Sequence, residues 1–105
     1  MPNWCFTNYV VEGDRKDIAD LHAKMVALQN MQEPYVPNGF GPTWLGCLIN
    51  KLGGDWNKIY CRGSWSELEI YPDGTLRFNT ETAWYRMDEV EAFLKSKYKS
   101  LRIYF

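Results

Sequence analysis

The sequence is short of charge of one sign. Twelve Lys plus Arg against thirteen Asp plus Glu leave a net charge of -1 at pH 7. Neither half is basic, which argues against strong phosphate-driven nucleic-acid binding. Long apolar runs are also missing; none approaches the ~18 residues of a membrane span. Met1-Pro2-Asn3-Trp4 shows no basic region followed by an apolar stretch, so no export signal is read and the expected location is cytoplasmic. Cysteine is scarce: Cys5, Cys47 and Cys61 are odd in number and far apart. They form no disulfide framework, and reduced thiols are expected. No two of them stand two to four residues apart, so with His22, the one histidine, they make no zinc pattern. Gly39-Phe40-Gly41 and Gly53-Gly54 match neither Gly-rich phosphate fingerprint. No metal and no cofactor are expected.

What the sequence does have is aromatics, 16% of 105 residues with five Trp, alongside 46% hydrophobic and 24% charged residues. That balance is an ordinary globule, and the length gives one domain, residues 1–105, with one core. Aromatics build such a core or anchor an interface.

Asn3 to Val11 reads as a strand with apolar residues on both faces, so periodicity leaves its core face open. Gly13 ends it and Asp14 caps a helix whose stripe is Ile18, Leu21, Met25 and Leu28. His22 lies beside that stripe and reads as a packing histidine. Glu33 to Thr43 carries three prolines and two glycines and is a loop. Thr43 then caps a short helix with Leu45, Leu48, Ile49 and Leu52 on one face, stopped by Gly53-Gly54. Ile59 to Tyr71 is extended.

Pro72-Asp73-Gly74 is the sharpest turn signal. A three-residue loop pairs Ile70 with Leu76 and Leu68 with Phe78, keeping the apolar residues on one face, so a hairpin with a Gly bulge is predicted. The next strand runs from Thr75 to about Ala83. Asp88-Glu89-Val90-Glu91 is a capping box before a helix with Val90, Phe93, Leu94 and Tyr98 as its stripe. Leu101, Ile103 and Phe105 alternate as a last strand. The order β-α-(short α)-β-β-α-β predicts an α+β, ferredoxin-like split βαβ fold: a four-stranded antiparallel sheet with two long helices on one face. The pattern stops on an apolar residue, which reads as a truncation at the C-terminus.

Glu67, Glu69 and Glu81 invite a paired-carboxylate reading. In the predicted register Glu69 faces Arg77 and Glu67 faces Asn79 on an open sheet face, which is cross-strand pairing without the burial that tunes a catalytic group. Trp65, out of phase with Leu68 and Ile70, is predicted on that same outward face. Lys95, Lys97, Lys99 and Arg102 read as a solvated helix end.

Asn3-Trp4-Cys5 at the start, Gly13 after the first strand and Thr82-Ala83-Trp84 after the hairpin resemble the YubB-like ferredoxin-like domain family. Three departures stand out. Thr7 stands where the family usually has Asn, Tyr85-Arg86-Met87 replaces a Pro-containing turn, and an acidic, Gly-bearing tail is missing. The resemblance implies a bacterial protein of plasmids, phages or conjugative elements, without a known activity.

The functional expectation is a non-enzymatic accessory protein that binds a protein partner through Trp65, Glu67, Glu69, Arg77 and Glu81. A single-stranded nucleic-acid module is the alternative. A small enzyme with a site near Glu81, Trp84 and Arg62 is the third. Self-association through the last strand is compatible with all of them, and no membrane partner is expected.

Overall fold

The computed structural model describes residues 3–105; Met1 and Pro2, the first two residues of the chain, lie outside them. The elements are β1 (Trp4–Glu12), α1 (Arg15–Gln29), α2 (Leu45–Lys51), β2 (Gly63–Ile70), β3 (Leu76–Ala83), α3 (Asp88–Lys97) and β4 (Arg102–Tyr104). This is a mixed α+β structure with one four-stranded sheet in the order β2-β3-β1-β4, every neighbouring pair antiparallel.

The core face of β1, open in the sequence, is the odd one: Thr7, Tyr9 and Val11 are buried while Trp4, Phe6 and Asn8 are exposed. Tyr9, Val11, Trp65, Leu76 and Phe78 form one cluster with the helices. The predicted stripe of α1 is buried in full, and α2 and α3 add Leu45, Leu48, Ile49, Val90 and Leu94. Burying one such side chain is worth roughly 1.5–3 kcal/mol, which is why stripe spacing dictates the packing.

Helix starts differ in detail from the sequence reading. Asp14 is the N-cap of α1, though its side chain makes no capping bond. The N-cap of α2 is Trp44, one residue beyond Thr43, and its ring lies over Gly46, where a Cβ would come within 2.3 Å. The capping box of α3 does not form. Met87 is the N-cap, and Glu91 instead accepts the Tyr9 hydroxyl and pairs with Arg86. A buried tyrosine hydroxyl needs a partner, and it takes the carboxylate that the cap would have used.

The hairpin closes as predicted. Tyr71 and Thr75 flank Pro72-Asp73-Gly74, the Gly74 N–H donates to the Tyr71 carbonyl at 2.9 Å, and Gly74 has φ 88°. Ile70 pairs with Leu76 and Glu69 with Arg77. Beyond that the register shifts.

Candidate functional site

Between Ser66 and Glu69 the strand carries a β-bulge: Ser66 pairs with Asn79 and Glu69 with Arg77. Glu67 and Leu68 therefore share the single residue Phe78. Glu67 takes φ 56°, the left-handed conformation that lets a bulge residue stand out of the ladder. One extra residue inverts the alternation upstream of it.

The predicted outward Trp65 is thereby corrected. It is 2% exposed, pairs with Thr80 and donates its indole N–H to Gln29 on α1 at 3.2 Å. Running the Leu68–Ile70 alternation straight back to Trp65 overlooks this slip: Leu68 does stand opposite Phe78, but shares it with Glu67, and Asn79 pairs with Ser66 instead of Glu67. Trp65 is no binding residue. Trp65→Ala is expected to cost about 3–5 kcal/mol of stability, read as a lowered urea midpoint.

The other four expected surface residues do share the outer face. Glu67, Glu69 and Arg77 line one shallow cleft with Phe6, Asn8 and Asn79, and Glu81 pairs across with Phe6. Arg77 is occupied: its guanidinium lies 4.2 Å from the Tyr71 ring and 3.3 Å from Asp73. Asp73 also accepts from Thr75, whose bonds hold its carboxyl below the usual carboxylate range. Arg102, on the same face, pairs with Glu12. Glu67, Glu69 and Glu81 have no ion-pair partner among the described residues.

The same face carries Trp4 at 47% exposure and Phe6 at 63%, whose side the sequence leaves open, and Tyr104 at 50%, which alternates with Leu101 and Ile103. Phe40, from the loop before α2, meets Trp4 edge-on with centroids 6.3 Å apart. The outer face is thus aromatic along β1 and acidic along β2 and β3.

The family-like residues have structural duties, Gly13 at one end of β1 and the others at its opposite end. Trp84 donates its N–H to the Asn3 carbonyl at 2.6 Å, and the Tyr85 N–H returns to the Ala83 carbonyl at 2.9 Å. That bond across two residues, with φ 73° at Trp84, makes a strained γ-turn around an exposed indole. Thr82 is fully buried and donates its hydroxyl to the Tyr85 carbonyl at 2.9 Å. Cys5 is half-buried, its thiol 3.8 Å from the Thr7 hydroxyl. Gly13 lets the chain pass Leu101 and Ser100; a Cβ there would meet Leu101 at 2.9 Å.

None of the five clefts described brings the residues of the enzyme reading together. Arg62 lines an open groove with Trp44, Trp56 and Tyr60, while Glu81 and Trp84 line none of the described clefts. The Cys61 thiol, beside that groove, is pushed up to about 11 by burial, which leaves little thiolate at neutral pH. His22 is half-buried on α1. Among the described residues no three His, Cys, Asp or Glu side chains gather into a metal-binding group. Nor is any helix among the described residues long and apolar enough to cross a membrane.

No family model, no curated protein and no solved structure matches this chain.

Proposed function

We propose that the chain is a non-enzymatic protein-binding module of ferredoxin-like plan that works from the outer face of its sheet. The element order and the strand order β2-β3-β1-β4 support the split βαβ arrangement. The resemblance carried by Asn3, Trp4, Cys5, Gly13, Thr82, Ala83 and Trp84 supports membership of the YubB-like family and an accessory role on a bacterial mobile element.

One observation carries the binding reading. Exposed Trp4, Phe6 and Tyr104 stand on the same face as the three carboxylates Glu67, Glu69 and Glu81, which lack ion-pair partners among the described residues. Large aromatics on a surface anchor partners, and uncompensated acids select for a basic one. The partner is a protein segment bearing Lys or Arg next to apolar side chains.

Tagged protein is used for capture from a bacterial lysate, with nuclease-treated and untreated halves. A discrete protein is expected in both halves, and its affinity is expected to fall about 30-fold with Phe6→Ala, the roughly 2 kcal/mol of an interface anchor. Glu81→Lys, fully on the surface, is expected to weaken it as well. Equal capture by both variants overturns this surface.

A single-stranded nucleic-acid module is the second reading, favoured by Trp4 and Phe6, which stand where bases stack on β1 of such a sheet. The three carboxylates oppose it through phosphate repulsion. Oligonucleotide binding at low salt, lost with Phe6→Ala, would favour it over the first.

A further inference from the structure

Asn38-Gly39 is the one Asn-Gly pair of the chain. Asparagine is chemically labile when the main-chain nitrogen after it reaches its side-chain amide, and a following glycine shields that nitrogen least. Gly39 is exposed, and no hydrogen bond among the described residues uses its N–H. The nucleophile of this reaction therefore stands in water.

The electrophile is tied down. The Asn38 amide oxygen accepts the Phe40 N–H at 2.6 Å and the Gly41 N–H at 2.8 Å. Its amide nitrogen donates to the Val36 carbonyl at 2.6 Å, the Gly41 carbonyl at 3.2 Å and the Cys47 sulfur at 3.6 Å. Ring closure has to turn the amide carbon onto the Gly39 nitrogen, and that turn breaks this set of bonds. The loop is also pinned on both sides of Asn38. Val36 packs against the core, and the Phe40 ring meets Trp4 with centroids 6.3 Å apart. The Gly41 carbonyl takes the Trp44 N–H as well, at 3.2 Å, which ties the loop to the start of α2. Closed, the loop withholds the amide that its own sequence makes reactive.

We propose that Asn38 is a self-modification site gated by opening of the loop 33–43, and that its conversion keeps the loop from closing again. In the open loop the Gly39 nitrogen gives its proton to solvent base and bonds to the Asn38 Cγ. The Cγ–Nδ2 bond breaks, and the amide nitrogen leaves as ammonia. One water then opens the five-membered imide at either carbonyl, which leaves an aspartyl or an isoaspartyl residue at position 38. Water is the co-reactant throughout. The way back is blocked by donor count. An ionised carboxylate only accepts, and the closed loop sets this side chain against the Val36 and Gly41 carbonyl oxygens, which both need a donor. The isoaspartyl product also lengthens the main chain by one carbon inside the turn. Brief openings of the loop thus accumulate as a covalent record. Cys47, fully buried on α2, loses the amide that lies against its sulfur. The inference stands independently of the binding reading above.

The test holds the full chain in mildly alkaline buffer, folded or unfolded in guanidinium, and follows the peptide carrying Asn38 by mass spectrometry. Conversion of amide to acid is expected to be fastest in the unfolded chain and slowest in the folded wild type. Phe40→Ala lies between: loss of one aromatic pair is expected to raise the folded rate about fivefold, because the rate follows the open fraction of the loop. Gly39→Ala is expected to lose most of the conversion at an unchanged urea midpoint, since a Cβ there meets nothing within 4 Å and φ lies outside the left-handed region. The converted protein carries one more negative charge and is separated by anion exchange. Cys47 in that fraction, and in Asn38→Asp, is expected to react with a thiol reagent about tenfold faster than in fresh wild type, the scale of one lost hydrogen bond. A folded wild type that converts as fast as the unfolded chain, or a Phe40→Ala rate equal to the wild type's, overturns the gate. Conversion confined to the unfolded chain overturns the site itself. Wild-type labelling of Cys47 in the converted fraction overturns the block on closing, whatever Asn38→Asp does.

Discussion

Trp84 and Glu67 both hold positive φ, at 73° and 56°, without being glycine. A Cβ in the left-handed region costs roughly 1–2 kcal/mol. Both side chains are largely in water, so neither recovers that cost through burial. Trp84→Gly and Glu67→Gly are each expected to raise the unfolding free energy by about 1 kcal/mol, measured by urea denaturation. Trp84→Val, with its branched Cβ, is expected to lower it. If Trp84→Gly stabilises the fold but weakens capture of the partner, the strain at Trp84 is there to hold the indole out. The sequence flagged Trp84 only through resemblance, because positive φ leaves no mark in a residue that is neither Gly nor Asn.

Two tyrosines clasp α3 to the rest of the molecule. Tyr9 on β1 donates to Glu91 in the first turns of α3, and Tyr98 at its end donates to Asp20 on α1 at 2.6 Å. Burial first, and the accepting carboxylates second, push both phenols well above the usual tyrosine value. A group whose folded pKa is raised contributes stability fully below its unfolded pKa, here about 10, and loses it as pH rises beyond. The urea midpoint is therefore expected to fall steeply above about pH 10, and Tyr9→Phe or Tyr98→Phe to flatten the fall. Asp20 works in the other direction: its lowered carboxyl contributes above its unfolded pKa and loses that as pH falls. At this scale the sequence was legible wherever periodicity was unbroken. The stripes of α1 and α2, the hairpin loop and the Glu69–Arg77 pair all followed from spacing. It failed at Glu67-Leu68, where no Gly announced the bulge, and at Glu91, where a tertiary partner outbid the local cap. Four of the five expected surface residues reached the outer face; the fifth, Trp65, was lost to that slip.

Across the whole molecule the three thiols report different depths. Cys47 and Cys61 are buried and Cys5 is half-buried. With burial raising Cys61 to about 11, labelling by a thiol reagent at pH 8 is expected to be fast at Cys5 and to reach Cys61 only on the timescale of unfolding. Mass spectrometry of labelled peptides reads the order; equal rates would place Cys61 in a locally opening segment. The bulge has its own reach at this scale. Substitutions at Glu67 leave both halves of β2 in phase with their faces. Loss of one codon at Glu67 or Leu68 does so too: it removes the bulge and leaves Ser66 opposite Asn79 and Glu69 opposite Arg77 in one regular alternation, whereas loss of both codons breaks the phase. Either Trp65 then turns to water or Glu69 and Ile70 exchange sides. For an evolving gene the middle of this strand is open to missense change and to the loss of one codon and closed to the loss of two, a pattern of tolerance more familiar from reading frames than from protein surfaces.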